Sequence, residues 1–344
     1  MTQQQSKAVM LERPGPLPKP ILRDAPKPQR QEVLLRVHSS SVNFHDYVLC
    51  TFPQAVGGTL AWPRVPFSDA SAEVVELGAD VENMAVGDRV MPNFFCDWVT
   101  GRPTDQLLAT VYGDQVDGAL QTYMRATARS LVKTPAHLSH REAGTLGCAG
   151  LTAWRALHEE GRLQPGGTVL VQGTGGVSLF ALGFAKMSGA TVILTSSSEE
   201  KLDRARALGA DHLINYRAHP DWELEVLKLT EGRGVDIILD VGGANTLAKS
   251  VEAARIDGHV SVIGVLTGFE SPSFPLARVM QRNLSVRGIT VGSQSQFASM
   301  CEAIAKHRYR PVLDENYPLE NAEEAIQRLV SQRHFGKITV SIGD

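Results

Sequence analysis

The sequence lacks long hydrophobic runs and paired cysteines. Its apolar stretches, such as residues 260–266, fall far short of the roughly 18 residues that a membrane helix needs. The polar segment 1–7 lacks the apolar core of a secretion signal. The four cysteines, Cys50, Cys96, Cys148 and Cys301, are far apart in the sequence and form no CxxC pair. This spacing argues against both a disulfide framework and a zinc lobe built from four thiolates. We therefore expect a cytoplasmic protein with reduced thiols.

The chain also lacks an excess of charge of either sign. Its 34 basic and 37 acidic residues give a formal net charge of -3, so we expect neither a nucleic acid nor an anionic membrane as partner. At about 150 residues per domain, a length of 344 residues predicts two domains. The hydrophobic fraction of 43% is ordinary for a soluble globular protein.

Two different patterns divide the chain. The first part has short β-like runs at 33–37, 72–77 and 88–91, followed by a long insertion at 92–118. From about residue 138, strands and helices alternate. Strands are predicted at 168–172, 191–195, 212–214, 235–239, 259–265 and 284–290, with a last strand at 337–342. Helices are predicted at 139–149, 149–160, 173–188, 199–208 and 321–331. This alternation predicts an α/β fold with a parallel sheet covered on both faces.

A glycine-rich turn follows the first of these later strands and opens a helix. It contains Gly173, Gly175, Gly176 and Val177, and Ser178 stands where the third glycine of a dinucleotide-binding turn is usual. Glycines allow a pyrophosphate to approach the backbone, and the helix N-terminus supplies free N–H donors. The context therefore predicts a dinucleotide site, although a simple strand-to-helix turn is the alternative.

The end of the second strand indicates which dinucleotide is preferred. An acidic residue about 20 positions past the glycines would bind the ribose hydroxyls of NAD, but Ser196 stands there. Hydroxyl and basic groups that could hold a 2′-phosphate are nearby, in Ser197, Lys201, Tyr216 and Arg217. We therefore predict NADP (NADPH) over NAD. The alternative is that these serines only cap the helix that begins at Glu199.

With these residues in view, the chain resembles the medium-chain dehydrogenase/reductase superfamily, in its zinc-independent, quinone-oxidoreductase-like and alcohol-dehydrogenase-like branch. The motifs stand in family order: SVNFHD at 41–46, GDRV at 87–90, GLTAW at 150–154, QGTGGV at 172–177, LGAD at 208–211 with NY at 215–216, and HFGK at 334–337. The resemblance implies a GroES-like catalytic domain from 1–138 and 312–344. It also implies a doubly wound Rossmann domain at 139–311 and a homodimer through the strand at 284–291.

The resemblance also bears on metal. Zinc-dependent relatives have Cys, His and Glu where this chain has Asn43, Ser68 and Asp69, and only Cys148 matches a ligand. Since catalytic zinc needs three protein ligands, no zinc is expected. An improvised site of Cys148, Asp69 and His45 is the alternative.

Candidate catalytic residues cluster near Asn43. The resemblance places Asn43 beside the nicotinamide ribose and the substrate carbonyl, whereas a plain turn residue is the alternative. His45 is a candidate proton donor, Asp46 a buried orienting group, and Tyr47 could close over the nicotinamide. Further cofactor contacts are implied for Thr152, Gly264, Val265 and Lys337. Enoyl reductases of the superfamily carry a Tyr before Pro near this point, where Phe52 stands, and this lowers an enoyl-thioester interpretation.

The substrate pocket is predicted from the aromatic insertion. Phe94, Phe95, Trp98 and Tyr112, together with Leu266, could line an apolar pocket, and local packing is the alternative. The predicted activity is NADPH-dependent, zinc-independent hydride transfer to a small conjugated carbonyl or quinone. The alternatives are alcohol–ketone interconversion and a non-catalytic NADPH-binding protein.

Overall fold

The computed structural model describes residues 4–56, 62–270 and 274–343. Two compact units are formed: Met1–Leu151 with Gly292–Asp344 (unit 1), and Thr152–Val291 (unit 2). The two compact units thus divide the chain at 151/152 and 291/292, whereas the predicted domain boundaries lie at 138/139 and 311/312. The strands are β1 Gln5–Ala8, β2 Ile21–Asp24, β3 Glu32–Ser41, β4 Ser71–Leu77, β5 Arg89–Pro92, β6 Tyr123–Thr127, β7 Leu131–Lys133, β8 Thr168–Gln172, β9 Thr191–Ser196, β10 His212–Asn215, β11 Val235–Asp240, β12 Ala254–Val262, β13 Ser285–Gly288, β14 Leu313–Pro318 and β15 Lys337–Ser341.

The helices of the described residues range from single turns to a length of 14 residues. They are α1 Phe44–Thr51, α2 Asp105–Leu108, α3 His140–Ala143, α4 Leu151–Trp154, α5 Gly176–Met187, α6 Glu199–Ala207, α7 Trp222–Leu229, α8 Leu247–Ala253, α9 Leu276–Gln281, α10 Gln294–His307 and α11 Ala322–Val330. Wider π-turns span Leu146–Gly150 and Arg155–Glu160, and 3₁₀ turns span Pro53–Val56, Ala128–Ser130 and Leu319–Asn321. Among the described residues, no helix is both long and apolar enough to cross a membrane.

Unit 1 is built on a seven-stranded sheet around β3. The strand order is β14-β15-β3-β4-β5-β7, and β6 also pairs with β3. Only β14 and β15 run parallel, whereas the other pairs are antiparallel. Val33, Leu35 and Val37 alternate along β3 and are fully buried, as a half-buried strand requires. β1 and β2 form a separate two-stranded sheet.

Unit 2 has the parallel sheet that the sequence predicts. Its six strands run in the order β10-β9-β8-β11-β12-β13, and every neighbouring pair is parallel. Counted along the chain, this is the 3-2-1-4-5-6 order of a doubly wound dinucleotide-binding fold. The strand order reverses between β8 and β11, and ligands bind such folds at the carboxyl ends of the strands at this point. The predicted α/β class is confirmed.

Several predicted elements differ from the observed ones. The two plain helices expected at 139–149 and 149–160 are wrong, because α3 and α4 are single turns connected by π-turns. The start of the first was correct: the Ser139 N–H donates to the Glu142 carboxylate, and the Glu142 N–H donates back to the Ser139 hydroxyl. β12 begins five residues earlier than expected, at Ala254. The sequence analysis missed the helices α1, α2, α7, α8, α9 and α10 and the strands β1, β2, β6, β7 and β14.

Candidate functional site

A buried polar cluster lies where three elements of unit 1 meet. Ser41 ends β3, Asn43 precedes α1 and Lys337 begins β15, while Asp69 lies just before β4. We call Ser41, Asn43, Asp69 and Lys337 the Asn43 cluster. Each of these residues is no more than 6% exposed. Buried polar groups are costly unless they are paired, so the hydrogen bonds of this cluster decide what it can do.

The side-chain amide of Asn43 bridges the two charged members of the cluster. Its Nδ2 donates to Asp69 Oδ2 over 2.9 Å, and its Oδ1 accepts from Lys337 Nζ over 2.5 Å. Lys337 Nζ also donates to the Val42 carbonyl at 2.8 Å and lies 3.4 Å from Asp69 Oδ2. Ser41 Oγ donates to the same carboxylate oxygen at 2.7 Å. These contacts engage all three ammonium protons of Lys337. Asn43 Nδ2 carries two hydrogens, and Asp69 accepts only one of them.

Asp46 fixes the start of α1, next to the Asn43 cluster. The Asn43 N–H donates to Asp46 Oδ2 over 2.7 Å, and the Ser68 N–H donates to Asp46 Oδ1 over 3.2 Å. Burial raises the pKa of Asp46 to about 7, and the charge of Asp69 adds to this effect, while the two N–H donors and Lys337 oppose it. Asp46 is therefore buried and holds the backbone N–H groups of Asn43 and Ser68, while its role as an orienting group in a reaction stays a prediction.

The other predicted catalytic residues lie on α1. His45 has a side chain 23% exposed, and burial lowers its pKa to about 4. The ring of Tyr47 lies between Phe44 and Phe52, with centroid distances of 5.8 and 6.1 Å. Tyr47 is also packed against the core of unit 1. The proposed contacts of His45 and Tyr47 with substrate or nicotinamide stay predictions.

The aromatic insertion forms a chain of ring contacts. Phe94 contacts Phe95 edge-on at 4.9 Å between centroids, and Phe95 contacts Trp98 at 5.7 Å. Tyr112 belongs to the hydrophobic core of unit 1, and its hydroxyl lies 3.1 Å from Ser130 Oγ. Burial raises the pKa of this phenol well above its ordinary value. Tyr112 is packed in this core, and the assignment of Phe95, Trp98 and Tyr112 to a substrate pocket stays a prediction.

In unit 2, the turn between β8 and α5 fits a pyrophosphate. Gly173 has φ +76°, a conformation that favours glycine, and Ser178 Oγ donates to the Gln172 carbonyl at 2.7 Å. α5 starts after Gly175, and no side chain caps its first turn. Its N–H groups are therefore left for an anion, as a dinucleotide site requires. Gly176 and Val177 form the first residues of the helix.

A buried carboxylate that the sequence analysis missed supports this turn. Asp240 is fully buried at the end of β11. Its Oδ2 accepts from Ser250 Oγ at 2.6 Å and from Gln172 Nε2 at 3.2 Å. Its Oδ1 accepts from the Gly243 N–H at 2.8 Å and from Thr246 Oγ1 at 2.7 Å. The only sequence signal was an acidic residue that ends a buried strand.

The serines after β9 are arranged partly as helix caps. Ser198 is the N-cap of α6 and accepts from the Lys201 N–H, which is the capping alternative considered above. The Ser198 N–H in turn donates to Ser196 Oγ at 3.4 Å. Ser196 is buried, Ser197 half-buried and Tyr216 exposed. No carboxylate stands at Ser196, but Glu199 follows and accepts from the Asn215 amide.

The remaining predicted cofactor residues lie in two places. Gly264 follows β12, where an added Cβ would lie 2.3 Å from the Val241 carbonyl oxygen, so a side chain would not fit. Val265 is half-buried and Leu266 exposed in the next turn, and residues 271–273 farther along lie outside the described residues. Thr152 is buried in α4. Their contacts with a cofactor stay predictions.

Comparison with known proteins decides the family. A model described as zinc-binding dehydrogenase matches residues 176–306, and one described as alcohol dehydrogenase GroES-like domain matches residues 29–136. A zinc-type alcohol dehydrogenase-like protein of Schizosaccharomyces pombe is 40% identical over 318 residues, which cover 90% of this chain and 91% of that protein. The chain belongs to the medium-chain dehydrogenase/reductase superfamily.

Solved structures of this superfamily share the fold over nearly the whole chain. A Sinorhizobium meliloti 1021 protein assigned as an alcohol dehydrogenase is 40% identical with a TM-score of 0.92, covering 99% of this chain and 100% of that one. An NAD-dependent alcohol dehydrogenase is 32% identical with a TM-score of 0.88, covering 98% and 100%. This chain is an NAD(P)-dependent oxidoreductase with a GroES-like and a Rossmann-type domain.

The zinc in the names of these superfamily members prompts a test of fit. Asn43 offers an amide and Ser68 a hydroxyl where the zinc-dependent relatives have a thiolate and an imidazole. The Asp69 carboxylate already accepts from Ser41 and Asn43, and the Lys337 ammonium lies against it. Burial raises the pKa of the Cys148 thiol far above its ordinary value, which disfavours the thiolate that binds metal. In the part of the chain that the structure describes, no three His, Cys, Asp or Glu side chains are grouped as metal ligands. The donor set does not fit catalytic zinc.

Proposed function

We propose that this protein is a zinc-independent, NADPH-dependent reductase of small conjugated carbonyl or quinone-type substrates. The observation that carries the proposal is the Asn43 amide, which is held between Lys337 and Asp69 where zinc-dependent relatives have a metal ligand. An amide in this position is a neutral hydrogen-bond donor and not a Lewis acid. The acceptors it can serve are those whose developing charge is spread over several atoms.

The chain's own residues supply orientation and polarisation. Lys337 draws electron density from the Asn43 carbonyl oxygen, which makes the Nδ2 protons better donors. One of these protons is donated to Asp69, and this hydrogen bond fixes the plane of the amide. The second proton therefore has a fixed direction and can be donated to the substrate oxygen. When bound, the nicotinamide cofactor supplies the hydride. Asp46 keeps Asn43 in place through its backbone N–H, so that the amide does not reorganise during the reaction.

The preference for NADPH is argued from the end of β9. The absence of a carboxylate at Ser196 removes the repulsion that a 2′-phosphate would meet, and Lys201 lies in the first turn of α6. The Glu199 carboxylate accepts from the Asn215 amide, which fixes its position and leaves its negative charge in place. The same residues could accommodate NAD, which the solved NAD-dependent relative binds by its name. The ratio of the two cofactors is therefore a first measurement.

Alcohol–ketone interconversion is the second candidate. The names of the relatives favour it, because the S. pombe protein and both solved structures are alcohol dehydrogenases or alcohol dehydrogenase-like. Without a metal, a simple carbonyl would be activated by the Asn43 amide alone. We therefore rank it below the conjugated acceptors.

The test measures NADPH and NADH oxidation with a small quinone and an enone, and NADP⁺ reduction with alcohols, each with and without a chelator. We expect chelator-resistant oxidation of NADPH. Asn43→Ala should lower kcat by about 100-fold or more, the usual loss when one donor to a developing oxyanion is removed. The control is Asn316→Ala, which removes an amide on β14 that donates to Ser341 on β15, and it should leave kcat unchanged. Chelator-sensitive activity, or a preference for alcohols, would refute the proposal.

We also propose a homodimer through the edge of the unit 2 sheet. β13 ends the strand order, and three of its four residues are exposed. On the preceding helix α9, Leu276 and Met280 are each 73% exposed, which is unusual for large apolar side chains in a monomer. Light scattering should give twice the mass of 37.3 kDa. The Ile289 N–H donates to the Val262 carbonyl on β12, so the alternate N–H of Gly288 faces the free edge of β13. Gly288→Pro should shift the mass toward the monomer, since proline removes this outward-facing donor.

A further inference from the structure

A histidine and an aspartate of unit 1 face each other, and among the described residues each has a buried polar atom without a hydrogen-bond partner. His45 Nε2 lies 3.7 Å from Asp114 Oδ2. Within residues 4–56, 62–270 and 274–343, His45 Nε2 and Asp114 Oδ1 are both buried atoms that have no hydrogen-bond partner. Asp114 is 5% exposed as a residue. A buried, unsatisfied carboxylate oxygen is rare in folded proteins and calls for an explanation.

The loop that carries Asp114 is rigidly attached to the segment beneath α1. Gly113 has φ +83°, and an added Cβ there would lie 2.7 Å from the backbone nitrogen of Phe67. The Gly118 N–H donates to the Val65 carbonyl at 2.7 Å, which closes the other end of the loop. The next residue after Phe67, Ser68, donates its N–H to Asp46 on α1. The carboxylate of Asp114 is therefore held in place relative to α1.

The ring of His45 is fixed from a second side. Phe94 meets it edge-on, with 5.1 Å between ring centroids and an angle of 75° between the planes. One nitrogen of the imidazole is thus directed to a carboxylate. The side chain of His45 is 23% exposed, so solvent can still reach the ring. Carboxylates that accept from one ring nitrogen fix the tautomer and leave the other nitrogen to exchange protons. In proteins without bound substrate, such hydrogen bonds are often long and shorten in the complex.

We propose that Asp114 positions His45, and that His45 exchanges the proton that accompanies hydride transfer. The proposal rests on the function proposed above. Reduction of a conjugated carbonyl or quinone consumes one hydride, from the reduced nicotinamide, and one proton, which His45 gives from Nδ1 to the substrate. Asp114 stabilises the imidazolium before this transfer. Solvent then returns a proton to Nδ1, and in the oxidative direction the same nitrogen accepts the proton.

Burial acts on the proton affinity of both groups. It lowers the pKa of His45 to about 4, so the resting ring is neutral at neutral pH, and the imidazolium that donates from Nδ1 forms only transiently, with a proton from solvent. Burial raises the pKa of Asp114, while a hydrogen bond from Gln115 and the charge of Arg64 oppose that rise.

The first test uses ¹⁵N NMR of the imidazole at neutral pH, which needs neither cofactor nor substrate. In the wild-type protein, Nε2 of His45 should carry the hydrogen because Asp114 accepts it. Asp114→Ala should give a mixture of tautomers, and Asp114→Asn, which keeps an acceptor oxygen, should restore the wild-type spectrum. Asp117→Asn is the matched control in the same loop, since Asp117 bonds Arg23 and the Val65 N–H instead. An unchanged His45 spectrum in Asp114→Ala would overturn the pairing.

The second test measures turnover with the acceptor found active. His45→Gln should lower kcat by about 100-fold or more with little change in KM, as expected for loss of a proton donor. Asp114→Ala should lower kcat by about 10-fold or more, and the double variant should be no slower than His45→Gln alone. Multiplicative losses, or wild-type kcat in His45→Gln, would refute the proton role. If only alcohols are turned over, the proposed function fails, and the same variants test the pair in that reaction.

Discussion

Replacing Lys337 by Met should destabilise unit 1 strongly. The substitution removes a buried ammonium with three bonds and keeps an aliphatic side chain of similar length. It leaves the Val42 carbonyl and Asn43 Oδ1 without their donor, and it leaves the buried Asp69 charge without its cation. Breaking a buried ion pair by removing one partner costs about 3–5 kcal/mol. We expect a loss of about 4 kcal/mol in the free energy of unfolding.

A double-mutant cycle separates the ion pair from the other losses. Asp69→Asn alone leaves the ammonium buried without a counter-charge, and it should also be destabilising. In the Lys337→Met/Asp69→Asn double variant neither charge remains, so the loss should be smaller than the sum by about 2 kcal/mol or more. The control is the exposed pair Lys7–Glu320, with side chains 45% and 44% exposed. A cycle there should give below about 1 kcal/mol.

The assay must report on unit 1 alone, since a chain of two units need not unfold in one step. Hydrogen exchange of amides in β3 and β15 as a function of urea provides this, because these strands pair next to the cluster. A loss below about 1 kcal/mol for Lys337→Met, or additive effects of the two substitutions, would refute the reasoning. Either result would mean that water reaches the ammonium and that the Asn43 amide is not polarised as proposed.

Three further predictions concern single residues. The folded-state pKa of Asp46 is raised to about 7 from 3.8, so the folded chain retains a proton between these values and its stability should fall as pH rises through them. The stability of the wild type relative to Asp46→Asn should therefore be larger at pH 5 than at pH 8 in urea denaturation, and a constant difference would contradict this. Ser196→Asp should weaken NADPH binding by about 10-fold or more with little effect on NADH, measured by fluorescence titration, whereas the uncharged Ser196→Asn should not. Asp240→Asn leaves at least one of four donors unpaired and should lower the stability of unit 2 by about 2 kcal/mol, seen by calorimetry, while unchanged stability would mean that water replaces the carboxylate.

Local pattern was sufficient to predict the six strands of unit 2, but it was insufficient around Cys148. The predicted strand 168–172 has the same bounds as β8, because a buried parallel strand is a continuous apolar run between turn residues. The helices expected at 139–160 fail where glycines allow close packing. An added Cβ at Gly147 would lie 3.0 Å from Asp69 Oδ1, so the chain widens into a π-turn against the Asn43 cluster. That constraint is tertiary and leaves no periodicity in the sequence.

The candidate site was predicted in part for the same reason. Asn43 and Lys337 are 294 residues apart, so no local spacing could bring them together, and only the family resemblance named both. Asp69 was noted as a replaced ligand, but its role as the shared acceptor of Ser41, Asn43 and Lys337 required the structure. Asp114 lies in a loop fixed by Phe67, and nothing in its sequence context distinguishes it from Asp117.

The choice between substrates follows from where the charge of the Asn43 cluster lies. Lys337 and Asp69 neutralise each other beside Asn43, so the substrate oxygen meets an amide N–H and no net positive charge. A simple ketone develops a localised alkoxide, which one neutral donor stabilises weakly. An enolate or quinol anion spreads the same charge over several atoms and therefore needs less stabilisation from the donor. Conjugated acceptors should therefore exceed matched saturated ketones in kcat/KM by about 100-fold or more, equivalent to roughly 2.7 kcal/mol. Equal values for a matched enone and ketone would show that a stronger electrophile than Asn43 acts at this site.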